Sequence, residues 1–215
     1  MTPKLPLNLR LKKRHHKELA YAQDILMEDI YVFFPNAILH GGTAIWRCYR
    51  GNRFSEDIDM YIVKDNQKIT DFFESLEKKG FKIIKKRVKE NSLYAEIMIS
   101  DVPVRFEATF QSKKSTLKKY ETSESFFINV FTLSPNELII EKINAYLKRL
   151  KIRDLYDIFF LLSYIKRESN VVDHLKRLIN NFKKPVDESN LAAIIFAGVA
   201  PNSGQLLENI RKWVR

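Results

Sequence analysis

Two short stretches carry residue types suited to phosphate chemistry. The first is Leu39-His40-Gly41-Gly42-Thr43-Ala44; the second is Arg53-Phe54-Ser55-Glu56-Asp57-Ile58-Asp59-Met60-Tyr61. In the first, an apolar run ends in two glycines and a helical pattern begins at once. Glycines let a backbone come close to a ligand, and a helix N-terminus presents free N–H groups and positive potential. That is the make-up of a phosphate cradle, with the Thr43 hydroxyl as a further donor. In the second, Asp57 and Asp59 stand at i and i+2 of an alternating strand, so both point to one face, about 6–7 Å apart. Two like charges so close repel unless something positive lies between them. A divalent metal does this well, and hard oxygen ligands suit magnesium. Each signal alone is commonplace. An acidic pair on a strand is commonly just the solvated face, and a double glycine is commonly a turn. Their succession as strand, diglycine, helix and acidic strand is what points to function. Ser55 and Arg53, just ahead of the acids, could add phosphate or structural hydrogen bonds. For Arg53, a salt bridge to Glu56 or Asp57 is an equal alternative.

The flanking pattern predicts the elements that position these residues. Apolar residues recur at helical spacing from His15 to Phe34, and Pro35 stops that helix. A short strand over 37–39 precedes the diglycine, a short helix spans 43–50, and the acidic strand spans 57–63. A helix over 66–79 follows. Strand-like segments then occupy 81–86, 95–99, 104–110 and 126–132, with Asp101-Val102-Pro103 turning the middle pair into a hairpin. From residue 134 the pattern becomes helical. Ser134-Pro135-Asn136-Glu137 reads as a capping box with proline at the first helical position. A second helix starts near Asp154, and two or three more follow. The chain therefore divides into a sheet-containing part, 1–132, and a helical part, 133–215.

Composition bounds the rest. The chain has 215 residues, 45% hydrophobic and 12% aromatic, enough for a sizeable core and against global disorder. A single cysteine, Cys48, excludes an internal disulfide framework and a Cys-rich zinc site, and His15, His16, His40 and His174 are too scattered for a His-based one. No apolar run reaches membrane-spanning length, and no apolar h-region follows the basic residues Lys4, Arg10, Lys12, Lys13 and Arg14. The expectation is a cytoplasmic protein without a membrane partner. The net charge of +11 favours a polyanionic partner, unless it simply reflects the host's composition. Lys113-Lys114, Lys118-Lys119, Lys148 to Arg153 and Lys183-Lys184 are candidate phosphate contacts; each alone reads more simply as a solvated face.

The order Gly41-Gly42-Thr43-Ala44, then Arg53-Phe54-Ser55-Glu56-Asp57-Ile58-Asp59, resembles the DNA polymerase beta-like nucleotidyltransferase superfamily. Within it, the wording looks like the AbiEii/AbiGii abortive-infection toxin family. A second stretch, Glu141-Lys142-Ile143-Asn144-Ala145-Tyr146 followed by Arg153-Asp154-Leu155-Tyr156-Asp157, resembles that family's helical Lys-plus-Arg-Asp-x-x-Asp motif. The resemblance covers roughly residues 35–165. It implies an α+β fold in which a mixed β-sheet flanked by helices is followed by a C-terminal helical bundle. It also implies a third carboxylate on a neighbouring strand, for which Glu107 is the candidate although the family more often has aspartate there; a cross-strand partner for Arg or Lys is its alternative.

The resemblance further implies nucleotidyl transfer from a nucleoside triphosphate to a hydroxyl. Two magnesium ions (or manganese) would be held by Asp57, Asp59 and Glu107. Gly41, Gly42, Thr43 or Ser55 would hold phosphates, with Lys142 neutralising charge there and Asp154 as a further catalytic residue. The acceptor would be RNA, a tRNA 3′ end among relatives, and a cognate antitoxin would control the toxin. The helical motif also has purely local alternatives: Asp154 as an ordinary N-cap, and Arg153 with Asp157 as a surface i,i+4 pair. For Lys142 a surface pairing finds no acid at Leu138, Ile139, Ala145 or Tyr146. Two other functions stay open: a non-catalytic RNA-binding or regulatory protein on the same fold, and nucleotide transfer to a protein hydroxyl.

Overall fold

The computed structural model describes residues 5–167, 169–196 and 198–215. Contacts group the chain into two compact units, one formed by residues 1–50 and 54–133, the other by 51–53 and 134–215.

The first unit contains α1 (Leu7–Arg10), α2 (Arg14–Phe33), β1 (Ile38–His40), α3 (Gly41–Cys48), β2 (Asp57–Ile62), α4 (Asn66–Lys78), β3 (Lys82–Val88), β4 (Ser92–Ile99), β5 (Val102–Phe110), β6 (Thr116–Glu121) and β7 (Phe127–Thr132). The seven strands form one mixed sheet in the order β3-β4-β5-β2-β1-β7-β6. β2 runs parallel to β5 and β1 parallel to β7; the other pairs are antiparallel. Strict alternation explains the layering. Ile58 and Met60 of β2, Val104, Phe106 and Ala108 of β5, and Ala95, Ile97 and Ile99 of β4 are buried. α2 and α4 contribute Leu26, Met27, Ile30, Phe72 and Leu76 to the same core, with Phe72 edge-on to Phe106 at 5.8 Å between centroids. The opposite face of β2 and β5 carries the polar residues.

Two details differ from the sequence pattern. The β4–β5 hairpin turns at Ser100 and Asp101, both at positive φ (47° and 64°), while Val102 and Pro103 already belong to β5. This is the primed two-residue turn that suits the twist of paired strands. β6 is absent from the expected strands: Lys118 and Lys119 break its apolar pattern, as charges do on an edge strand.

The second unit contains α5 (Pro135–Arg149), α6 (Ile152–Leu161), a 3₁₀ turn (Leu162–Tyr164), α7 (Ser169–Asn180), α8 (Asn190–Ile194) and α9 (Ser203–Val214). The Ser134–Glu137 capping box forms as expected, with Pro135 at the first helical position. Its core gathers Leu138, Ile139, Ile143, Leu155, Ile158, Leu175, Leu178, Leu206 and Ile210. Residues 51–53 join this unit. Phe196 N–H donates to the Asn52 carbonyl at 3.0 Å, and Arg53 forms an antiparallel bridge with Ile195. No described helix is long and apolar enough to cross a membrane.

Candidate active site

The polar face of the sheet is organised in two rows. Across β4, β5 and β2 the register sets Glu96 opposite Arg105 and Arg105 opposite Asp57. One step along, Tyr94 lies opposite Glu107, Glu107 opposite Asp59, and Asp59 opposite His40 of β1. Neighbouring strands are about 4.8 Å apart and i,i+2 residues about 6–7 Å. Asp57, Asp59 and Glu107 are therefore three corners of one small patch on a single face. Asp57 and Asp59 are half-buried and Glu107 is exposed. His40 stacks on Tyr61 at 4.0 Å beside them.

Arg105 lies within this patch. Its Nε is 2.6 Å from Asp57 Oδ1 and its Nη2 is 3.0 Å from Glu56 Oε2. Among the described residues, no three His, Cys, Asp or Glu side chains are gathered closely enough to hold a metal ion. The donor chemistry nevertheless fits a hard divalent cation: three carboxylates on adjacent strands, with a guanidinium standing in as the positive partner of one of them. The expected salt bridge of Arg53 to Glu56 or Asp57 is not the one formed; Arg105 takes both acids.

The diglycine serves this face directly. Gly41 has φ +69°, and a Cβ built there would lie 2.1 Å from Asp59 Oδ2. Only a residue without a side chain lets the first turn of α3 approach Asp59 so closely. The helix starts at Gly41, so both glycines lie in its first turn. Thr43 is fully buried, and its hydroxyl donates to the Asp57 carbonyl at 2.5 Å, tying that turn to β2. Ser55 is buried on the segment leading into β2.

Gln23 of α2 is a residue that sequence reasoning missed. Its amide donates to the Ser55 and Glu56 carbonyls at 3.1 and 2.9 Å, fixing the approach to Asp57. Arg47 supports this corner. It is fully buried, its guanidinium carbon lies 4.0 Å from the Trp46 ring centre, and it donates to the Ala20 and Glu121 carbonyls. A glutamine inside the apolar stripe of α2 was the available signal.

The other candidate residues meet in the helical unit. Asp157 is fully buried and accepts from Arg53 Nε and Nη2, both at 2.5 Å. Lys142 Nζ lies 2.9 Å from Asp157 Oδ2 and 3.6 Å from Asp154 Oδ1. Asp154, also fully buried, accepts from Arg149 Nε and Nη2 at 2.7 and 2.8 Å. Five charges thus alternate: Arg53, Asp157, Lys142, Asp154, Arg149. Burial alone would push the Asp157 carboxyl up, but Arg53 and Lys142 outweigh it and hold its pKa below the ordinary value. Two local alternatives are corrected. Asp154 is no N-cap, because Lys151 occupies that place and Asp154 lies inside the first turn of α6. Asp157 is no surface partner of Arg153, because it is enclosed between Arg53 and Lys142.

The structure therefore brings Gly41, Gly42, Thr43, Ser55, Asp57, Asp59 and Glu107 together in the first unit, and Arg53, Lys142 and Asp154 in the second.

Comparison with known structures gives the same fold. MenT4, the nucleotidyltransferase toxin Rv2826c from Mycobacterium tuberculosis H37Rv, superposes with a TM-score of 0.65 at 17% identity, covering 98% of this chain and 89% of that one. JHP933 from Helicobacter pylori gives 0.62 at 17% identity, with 92% of each chain covered. These likenesses establish the α+β nucleotidyltransferase fold. No curated protein matches the sequence. The family model described as "Nucleotidyl transferase AbiEii toxin, Type IV TA system" matches residues 24–195. On that match, spanning both acidic strands and the Lys142–Asp157 motif, this chain belongs to the AbiEii nucleotidyl transferase toxin family.

Proposed function

We propose that this protein transfers a nucleoside monophosphate from a nucleoside triphosphate to a hydroxyl of an RNA acceptor such as a tRNA 3′ end. It would act as the toxin of a type IV pair and be restrained by a cognate antitoxin. The observation that carries the reading is the placement of Asp57, Asp59 and Glu107 on one face of the parallel strands β2 and β5. In it Asp57, Asp59 and Glu107 hold divalent ions, magnesium or manganese. When bound, such ions lower the pKa of an attacking hydroxyl and neutralise charge on the leaving pyrophosphate.

The chain's own residues supply the rest. The first turn of α3, with Gly41 and Gly42, offers backbone N–H groups to phosphate oxygens. Thr43 and Ser55 shape that turn and the entry to β2, and Arg53 anchors the segment ahead of it. Lys142 serves as the cation for triphosphate oxygens, and two buried aspartates, Asp154 and Asp157, hold its ammonium in place. The net charge of +11 suits an RNA acceptor.

Replacing Asp57 and Asp59 together by alanine is expected to abolish transfer of labelled nucleotide to RNA while circular dichroism stays that of the wild type. Transfer at the wild-type rate by a folded double variant refutes the mechanism. Digesting the labelled product with ribonuclease or protease separates an RNA acceptor from a protein hydroxyl. A second reading, a non-catalytic RNA-binding protein on the same fold, draws on the Arg105–Asp57 pair, in which a guanidinium already neutralises one carboxylate. Triphosphate binding that depends on manganese favours the enzyme; RNA binding without it favours the second reading.

A further inference from the structure

The helical unit holds an open cleft of about 920 Å³ lined by the C-terminal half of α5, the end of α7 and the segment that follows. Asn144 and Lys148 lie one turn apart on α5 and so share a helix face, and Asn181, the residue after α7, donates its backbone N–H to the Arg177 carbonyl at 3.1 Å. Of the nine lining residues, three are cations (Lys148, Arg177, Lys183), three are asparagines and none is acidic.

The contrast with neighbouring cations is informative. Arg149 pairs with Asp154, Lys151 with Asp187 and Lys176 with Asp173. Among the described residues, none of the three cleft cations forms an ion pair with a carboxylate. Three unneutralised cations around one concavity repel each other, and a polyanion relieves that repulsion.

The cleft is also pre-arranged. Arg177 Nη2 donates to Asn144 Oδ1, linking α5 and α7. Phe182 stacks on Tyr146 at 5.9 Å between centroids, and the Tyr146 hydroxyl donates to the Lys183 carbonyl at 2.6 Å, fixing the 182–183 segment. Cations, amides and a half-exposed aromatic are the mixture that single-stranded nucleic acid uses: phosphates on cations, a base on the ring, amides on base edges.

We infer that this cleft binds a single-stranded segment of the RNA acceptor, with Lys148, Arg177 and Lys183 on its phosphates and Phe182 under a base. The inference rests on the RNA-acceptor reading above. An acidic protein segment would find the cations but have no use for the ring and amides.

The test uses fluorescence anisotropy with a fluorescein-labelled ten-nucleotide single-stranded RNA, read at several salt concentrations. In the triple variant Lys148→Ala/Arg177→Ala/Lys183→Ala, binding is expected to weaken about tenfold or more. The slope of log affinity against log salt is expected to fall by about 2, since each single-strand phosphate contact contributes about 0.7. Phe182→Leu, which keeps the packing on Tyr146, is expected to weaken binding about five- to a hundredfold. An unchanged affinity and slope in the triple variant overturn the inference, as does poly-glutamate displacing the RNA at equal concentration. Nucleotide transfer is measured on the same proteins. If the triple variant keeps RNA binding while the Asp57/Asp59 variant loses transfer, the cleft inference fails and the enzyme reading stands. If the triple variant loses RNA binding while the wild type transfers nothing, the cleft stands and the enzyme reading falls.

Discussion

Replacing Arg53 by methionine isolates the charge chain of the helical unit. The Arg53 and Asp157 side chains are 3% and 0% exposed. The substitution fills much of the same volume but leaves a buried carboxylate with Lys142 as its remaining close cation. Breaking one side of a buried pair generally costs about 3–5 kcal/mol. Lys142, at 2.9 Å, still neutralises part of the charge, which sets the expectation at the lower end, about 3 kcal/mol. The protein has two tryptophans, Trp46 in the first unit and Trp213 in α9 of the second. Urea unfolding followed by Trp213 fluorescence in a Trp46→Phe background therefore reads the helical unit. The double variant Arg53→Met/Asp157→Leu removes the stranded charge as well, and is expected to recover at least about 1 kcal/mol of the loss. The effect also depends on pH. The folded pKa of Asp157 is depressed, so its contribution is present above the unfolded value of about 3.9 and disappears as pH falls through the lower folded value. Without Arg53, burial dominates and the loss begins at higher pH. A cost below about 1 kcal/mol, or a double variant less stable than the single one, refutes the reasoning.

Three further outcomes are expected. Gly41→Ala places a methyl group against Asp59 Oδ2 at a positive φ; thermal unfolding should show a loss of about 1–2 kcal/mol from backbone strain alone, with nucleotide transfer falling as Asp59 is displaced. Arg105→Gln frees Asp57 from a half-exposed pair worth about 0–1 kcal/mol, so calorimetric titration with manganese should show affinity up to about fivefold tighter, and weaker binding would count against the carboxylate patch as a cation site. His16 stacks on Phe54, and burial, then Lys13 and His15, lower its pKa, so the first unit should lose stability as pH falls below about 6.5; thermal melts of His16→Leu should lack that slope.

The fold was legible wherever burial repeats at a fixed period. Leu19, Ala22, Leu26 and Ile30 mark α2, and strict alternation marks β2 and β5, which places Asp57, Asp59 and Glu107 on one face once the strands pair. What periodicity does not carry is which strands become neighbours. That the strand of Glu107 neighbours β2, across the whole of α4, β3 and β4, came from the family resemblance; that the two run parallel is seen only in the structure. Edge strand β6 escaped because two lysines interrupt it. Arg53 shows the same limit: its sequence neighbours Glu56 and Asp57 are obvious partners, yet it pairs with Asp157, 104 positions away. Gln23 lies in an apolar stripe, where a polar residue marks a buried hydrogen-bonding job without naming its acceptor.

Lys142 makes the distinction sharpest. Inspection of its own helix finds no acid one turn away, which leaves a buried lysine without a local reason. The reason stands on α6, where Asp154 and Asp157, three residues apart, share one face and close on the ammonium from both sides. A chain of five charges is a poor way to gain stability, because desolvation opposes its four buried members, Arg53, Asp157, Lys142 and Asp154, and apolar substitutes of equal volume would serve as well. What such a chain provides is an ammonium held in one position by two carboxylates that are themselves clamped by Arg53 and Arg149. The Arg105–Asp57 pair on the sheet is the opposite case: it is half-exposed and formed by a long side chain that reaches it from solvent-accessible surface. It is the kind of pair that a stronger cation or a phosphate can displace at little cost. In the proposed reaction the network would hold one cation fixed, while the exchangeable pair would let one carboxylate patch change partners.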